Sequence, residues 1–366
     1  LPIFKEVEHT VIPTTAISSK WHYLTALFSR LAGLERFTLK RGEIPLGPVG
    51  CKSLAKGLKK NTSLRTLDLR YTQFTRENFE TIVEGLLASA RLETLNLEGN
   101  PLGGGVANIA DVLRSKHTSL TELSVDGCSI DAEGARQLSQ ALYHNRSLKS
   151  LSCGKNPMGH AGMAAIMDKL AYSRTIERVD VSCVERAGSS SDDVRALSSA
   201  MTRLFEVTTS LKEMNFYRTP MCAALSQDVL HALSMNRSVT KIDLGKTGLD
   251  DSVCRGIGHA LARNKNIRFL TLEDNTLTAR GLVLLCEAIY DNEKEKKARE
   301  EKERKEEERQ RKVEDAAAAL APAVEADRLR AMEKPTASVE QRRNLVGRSN
   351  RGGTGRSFDS HTFTDD

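Results

Sequence analysis

The sequence predicts an α/β repeat solenoid over most of its length, followed by a charged helix. Three observations carry this. A six-residue apolar phrase with leucines at its first, fourth and sixth positions recurs at nearly constant spacing. Each phrase is followed by a stretch of helical periodicity. Past residue 290 the composition turns abruptly to alternating acid and base. The chain has 366 residues, 39% hydrophobic, 28% charged and only 5% aromatic, with a net charge of +6. The core is therefore one of Leu, Val, Ile and Ala. No apolar run approaches the roughly 18 residues of a membrane span, and no leader segment is visible.

The phrase is clearest at Leu92-Glu-Thr-Leu95-Asn-Leu97 and begins also at Leu34, Leu64, Leu120, Leu148, Ile176, Leu211, Val239 and Ile267. Its period is 28 residues, with one longer interval of 35 between Ile176 and Leu211. The ninth position is Asn100, Asn156 and Asn275 in three repeats and Thr72, Cys128 or Thr247 in three more. Such side chains can bond backbone groups that stacking would leave buried. The second half of each repeat is helical. Ala135, Leu138, Ala141 and Leu142 recur at steps of three and four, as do Ala161, Met163, Ile166 and Leu170, and Val253, Ile257, Ala260 and Leu261. Asn61, Asn145, Asn236 and Asn264 precede the next phrase by three residues, where a left-handed Asn is expected to end the helix.

One strand–turn–helix unit cannot bury its apolar face alone, but stacked units can. The pattern resembles the ribonuclease-inhibitor type of leucine-rich repeat over about residues 34–290. That resemblance implies a horseshoe with a parallel sheet inside the curve and helices outside. Residues 1–33, with Trp21, Leu24, Leu27 and Phe28, are expected to cap the first repeat. The long interval holds Ala187-Gly188-Ser189-Ser190-Ser191-Asp192-Asp193, expected to form a surface loop.

Residues 291–366 hold 18 basic and 18 acidic side chains, so the net charge belongs entirely to the repeats. Within 293–315 only Ala298, Gln310 and Val313 are uncharged. Glu301 with Lys305 and Glu308 with Lys312 are among several pairs four apart, each adding a few tenths of a kcal/mol to a helix. No apolar seam supports a coiled coil. We expect a charged single helix with an extension over 291–334, and a disordered tail over 335–366.

No catalytic constellation emerges. The eight histidines show no metal-ligand spacing. Gly103-Gly104-Gly105 lacks the G-K-[ST] of a phosphate loop and reads as a turn opening a helix. The seven cysteines are scattered, without C-x-x-C, which fits a reducing compartment and small buried side chains. No cofactor, metal or small-molecule ligand is expected, and a mild positive excess spread over 290 residues argues against a dedicated nucleic-acid binder.

The binding surface follows from strand alternation. The fifth position of each phrase points out of the sheet and reads Thr38, Asp68, Asn96, Ser124, Ser152, Asp180, Asn215, Asp243 and Thr271. Two residues on come Lys40, Arg70, Glu98, Asp126, Gly154, Ser182, Tyr217, Gly245 and Glu273. With Tyr71, Arg218 and Phe269 as larger anchors, the expected protein-binding set is Lys40, Asp68, Arg70, Tyr71, Asn96, Glu98, Asp126, Asp180, Asn215, Tyr217, Arg218, Asp243, Phe269 and Glu273.

These features point to a non-enzymatic interaction scaffold in the cytoplasm. Repeats joined to a charged helix are similar to scaffold proteins of cilia, flagella, centrosomes and the cytoskeleton, which implies protein partners within a large assembly. Two alternatives stand beside it. Activators of the Ran GTPase use the same repeat type but carry a strongly acidic C-terminal stretch; Asn100 and Arg70 would be the residues to test. A receptor-like repeat fragment would require an upstream nucleotide-binding module, and no Walker motif occurs in these residues.

Overall fold

A computed structural model describes residues 9–13, 21–31, 33–40, 46–115, 119–184 and 190–332. The chain divides into two compact units, residues 1–297 and 298–366. The first is built on ten parallel strands in strict sequential order. They are β1 (His9–Pro13), β2 (Arg36–Lys40), β3 (Thr66–Asp68), β4 (Thr94–Asn96), β5 (Glu122–Ser124), β6 (Ser150–Ser152), β7 (Arg178–Asp180), β8 (Glu213–Asn215), β9 (Lys241–Asp243) and β10 (Phe269–Thr271). The helices between them are α1 (His22–Arg30), α2 (Pro48–Lys60), α3 (Arg76–Ala88), α4 (Val106–Arg114), α5 (Ala132–His144), α6 (Gly159–Leu170), α7 (Ser191–Val207), α8 (Gln227–Met235) and α9 (Asp251–Arg263). The last, α10 (Ala279–Met332), runs from the ninth repeat into the charged segment.

Neighbouring strands of a sheet lie about 4.8 Å apart, whereas packed helices need 8–10 Å. Equal numbers of each must therefore curve with the sheet on the inside. The fourth residue of each phrase stacks on its neighbours in perfect register: Leu67, Leu95, Leu123, Leu151, Val179, Met214 and Ile242. All are buried. The helices add the apolar face read from the sequence, with Ala135, Leu138, Ala141 and Leu142 of α5 buried against this column.

Three details differ from the sequence expectation. The segment before Leu34 contributes a tenth strand, β1, paired in parallel with β2 from His9↔Arg36 to Pro13↔Lys40, and α1 buries Leu24 and Phe28. The phrase pattern is absent there, so periodicity could not reveal the strand. The insertion is not all loop. Ser191–Asp193 form the first turn of α7, and Ser190 caps it: its hydroxyl accepts from Asp193 N–H while the Asp193 carboxylate accepts from Ser190 N–H. At 17 residues α7 exceeds the 13-residue helices α5 and α9, so part of the insert lengthens a helix. Ala187, Gly188 and Ser189 lie outside the described residues. Finally, the Asn residues before each phrase are not left-handed. Asn61, Asn145, Asn236 and Asn264 do follow the helices, but with extended backbone.

The second unit is described over residues 298–332, where it is helical. Two expected ion pairs form, Glu301–Lys305 at 2.8 Å and Glu308–Lys312 at 3.0 Å. The expected tail, 335–366, lies outside the described residues. No helix among them is long and apolar enough to cross a membrane.

Candidate protein-binding face

Two ladders of side chains hold the turns in place and so position the exposed sheet face. At the strand-to-helix turns, the ninth phrase position is buried. Asn100 donates from Nδ2 to the carbonyls of Leu69 and Leu97, and its Oδ1 accepts from Thr72 Oγ1 and Phe74 N–H. Asn156 repeats this between Val125 and Cys153 and accepts from Cys128 and Ile130 N–H. Cys128 fills its own rung with a weak thiol bond to the Leu97 carbonyl. Burial pushes that thiol up to about 12, so it is inert at neutral pH. Thr219, not singled out in the sequence, serves the Val181 carbonyl and Val184 N–H.

The residue just before each rung adopts a left-handed backbone in all eight repeats from Leu64 onward. The residues are Tyr71, Gly99, Gly127, Lys155, Cys183, Arg218, Lys246 and Asp274. This turn rotates the chain from sheet to helix and throws Tyr71, Lys155 and Arg218 toward the rim of the sheet. Gly99 is favoured for a second reason: a Cβ there would collide with the Tyr71 ring.

The outward column is assembled as expected. Asp68, Asn96, Ser124, Ser152, Asp180, Asn215, Asp243 and Thr271 stand in register across β3–β10, all half-buried. Their local role is also structural. In five repeats the side chain accepts the backbone N–H two residues on, as in Arg70 N–H to Asp68 and Ser182 N–H to Asp180. One side-chain oxygen per residue thus ends the strand, which leaves the second oxygen of each Asp and the amide nitrogen of each Asn to face neighbours.

Two clusters form on this face. At the first, Arg70 makes a bidentate pair with Asp68. Glu98 accepts from the Tyr71 hydroxyl at 2.8 Å and from Lys155 Nζ at 2.9 Å. Burial raises the Glu98 carboxyl, but the Lys155 and Tyr71 hydrogen bonds outweigh it and hold it below its ordinary value. At the second, Asp126 accepts from Ser124 Oγ and from Ser152 Oγ at 2.5 Å. Burial pushes its carboxyl up, and the nearby Asp180 charge adds to this. Asp180 in turn accepts from Asn215 Nδ2 at 2.7 Å. Beside it a groove of about 350 Å³ is lined by Ser150, Ser152, Arg178, Asp180, Glu213, Asn215, Lys241 and Asp243.

Of the expected binding residues, Asp180, Asn215 and Asp243 line the groove, with Tyr217 at its side against Gly245. Asp68, Arg70, Tyr71 and Glu98 form the first cluster, with Asn96 beside it. Arg218 is exposed on the rim, and Phe269 and Glu273 are exposed on the last repeat. Lys40 ends β2, and its side chain lies outside the described residues. Arg178, Glu213 and Lys241 were missed. They occupy the third phrase position, which alternation also turns outward, so the signal was present. Asn100 is fully buried and cannot reach a partner. Gly103–Gly105 form a short 3₁₀ turn leading into α4. No group of three or more metal-ligating side chains converges among the described residues.

A leucine-rich-repeat family model matches residues 60–77 and 116–139. The chain is 25% identical to mouse ribonuclease inhibitor over 243 residues, covering 66% of this chain and 52% of that protein. The chain is a leucine-rich-repeat protein of the ribonuclease-inhibitor type. The pig ribonuclease inhibitor is likewise 25% identical, over 72% of this chain and 56% of its own length, so the chain spans about half of these relatives. Human NACHT, LRR and PYD domains-containing protein 14 is 28% identical over 67% of this chain and 22% of that protein. Among solved structures, a leucine-rich-repeat protein from Legionella pneumophila matches with a TM-score of 0.43 at 14% identity, over 78% of this chain and 92% of that one. Stacked repeats of this kind present extended concave surfaces suited to binding.

Proposed function

We propose that this leucine-rich-repeat chain is a non-enzymatic scaffold that docks another protein on its inner sheet face, centred on the groove over β6–β9. The observation that carries this is the groove itself. Its floor holds Asp180 and Asp243 and its walls hold Arg178, Glu213 and Lys241. The neighbouring Asp126–Asp180 pair is electrostatically uncomfortable, so a partner's cationic side chain seated there would relieve it. Tyr217 and Tyr71 supply the aromatic edges of the face. The chain works in the cytoplasm as a structural component of a large assembly of the cytoskeletal, ciliary or centrosomal kind. The seven free cysteines fit that compartment. The charged segment of α10 supplies a further attachment element.

The test is affinity capture of the full chain from native cells against a Glu213→Arg/Tyr217→Ala variant with unchanged melting. Cytoskeletal or axonemal proteins recovered by the wild type and depleted about tenfold or more by the variant support the reading. Equal recovery refutes the groove. A small GTPase as dominant partner would favour the Ran-activator alternative, for which Arg70 is the remaining residue to test because Asn100 is buried. The NACHT-type relatives favour a second reading, a repeat fragment of a larger receptor-like protein. It predicts that the captured peptides include nucleotide-binding sequence contiguous with this chain.

A further inference from the structure

The turns that carry the chain from each helix into the next strand form a second, separate surface. They are stacked by their own ladder. Asn145 Nδ2 donates to the Leu113 carbonyl, Asn236 Nδ2 to that of Phe205 and Asn264 Nδ2 to that of Leu233, each reaching back to the preceding repeat. Ser63, Ser119, Ser210 and Ser238 hydroxyls make parallel bonds to the previous turn. The result is one rim of the repeat array.

Its charge is lopsided. In the six residues before each phrase from Leu64 to Ile267, the described residues include nine Lys or Arg and one acid, Glu206. Lys59 and Arg114 are neutralised by Glu84 and Asp111. The other seven are in no ion pair among the described residues, although most charged side chains elsewhere on the repeats find one. Basic residues in a last helical turn would be explained by the helix dipole. Arg91, Arg174, Arg237 and Lys265 lie beyond the helices, in the turns, where that account weakens; Arg146 lies there too but also donates from Nη1 to the Tyr143 and Asn145 carbonyls at the end of α5. Between these charges the rim exposes apolar side chains. Leu87, Tyr143, Tyr172, Val207 and Met235 stand at or just past the ends of α3, α5, α6, α7 and α8 and are 36–56% exposed. The Tyr143 and Tyr172 rings meet edge-on at 6.2 Å, with Lys169 Nζ 5.8 Å from the Tyr143 ring.

We propose that this rim docks an acidic, partly apolar polypeptide segment of another protein, on a surface distinct from the inner sheet face. Charge complementarity selects the sign. Tyr143 and Tyr172 could stack on bases, but Leu87, Val207 and Met235 offer no ring, and this aliphatic majority of the exposed groups selects a protein over a nucleic acid. Adjacent helices stand 8–10 Å apart, and an extended chain rises about 3.3 Å per residue. A segment with an acid at about every third position therefore matches the basic side chains, which recur in seven of the eight turns, and places its intervening side chains on the apolar steps.

The test uses the full chain and a fluorescein-labelled random copolymer of Glu and Tyr, read by polarisation, with poly(Glu), single-stranded poly(A) and phosphatidylserine vesicles as competing probes. The expected result is saturable binding of the copolymer in preference to all three, falling as salt rises. Arg146→Glu/Arg174→Glu/Arg237→Glu should weaken it by about tenfold or more. Lys52→Glu/Lys56→Glu/Lys246→Glu, with the same net charge change, should weaken it by less than about threefold. Tyr143→Ser/Tyr172→Ser should bring copolymer affinity down toward that of poly(Glu). Equal loss in both triple variants, tighter binding of poly(A) or vesicles, or no binding at all overturns the proposal. Melting of each variant, and retained capture by the inner face, separates its failure from a failure of the scaffold reading.

Discussion

The two edges of the repeat array solve the same problem differently. At the strand-to-helix edge, the rung residue is buried between two repeats and shares its bonds among both. Asn156 serves the Val125 carbonyl of the repeat before it and the Cys153 carbonyl of its own, and it accepts from Cys128 and Ile130. At the helix-to-strand edge, Asn145 sends only its amide nitrogen across, to Leu113, while its oxygen closes its own turn on Ser147 and Leu148. The first edge ties neighbours together, and the second mainly shapes each repeat. That division explains which substitutes each tolerates. Thr or Cys can replace a rung because a rung from the next repeat covers the exposed groups, as Asn156 does for Cys128. At the second edge Ser173 and Thr208 stand in because a short hydroxyl can still close the local turn, accepting from Ile176 and Leu211 N–H, whereas the Ser89 hydroxyl donates back to the Gly85 carbonyl.

The largest expected effect tests this contrast. Asn156→Ala should cost about 3–5 kcal/mol, because it strands several buried backbone groups in two repeats at once. Asn145→Ala should cost about half as much, since only one of its bonds crosses the interface, to the Leu113 carbonyl. Urea unfolding of both variants checks the ratio. Equal losses would mean that the two edges are energetically alike.

Much of this was legible before the fold was known. Each of the nine phrases holds a strand that begins at its third position, and the fifth position of each became the registered outward column. What escaped was conformational. The left-handed residue at the eighth position is Tyr, Gly, Gly, Lys, Cys, Arg, Lys and Asp in successive repeats, so only two of eight carry the glycine signature. The turn is dictated by the stacked rungs around it rather than by local preference. For the same reason the second-edge Asn residues are extended: their side chains are committed to the following N–H groups, which requires that backbone. β1 escaped because a strand at the end of an array can pair through its backbone without the repeated leucines. The outward column was found by alternation, but its part in ending each strand was not, since Asp and Asn are as much at home on a polar sheet face as at a strand end.

Between the two edges, the sheet face has its own unbalanced point. Asp126 is raised by burial foremost, with the Asp180 charge adding to it. Its folded state therefore holds the proton more tightly than the unfolded chain does. Stability is undiminished below the unfolded carboxylate value near 3.8 and is lost as pH climbs through the window above it. Asp126→Asn keeps an acceptor for Ser124 and Ser152 and removes the charge. It should stabilise the protein at neutral pH by on the order of 1 kcal/mol, with the advantage vanishing near pH 3–4. Melting curves across that range decide it. An advantage that persists unchanged in acid would assign the effect to packing rather than to charge.

The smallest effect separates backbone strain from side-chain bonding at the first edge. Lys246 and Lys155 occupy the same turn position with φ of 55° and 54°. A non-glycine residue in this region costs roughly 1–2 kcal/mol, part of which is offset by the extra freedom that glycine gives the unfolded chain. Lys246→Gly should therefore stabilise by about 0.5 kcal/mol, since its side chain is exposed and makes no ion pair among the described residues. Lys155→Gly relieves the same strain but removes the Lys155–Glu98 bond, worth about 0.2–1 kcal/mol for a pair this exposed. It should fall below Lys246→Gly and near zero. If both variants gain equally, the Lys155–Glu98 pair contributes nothing to the fold.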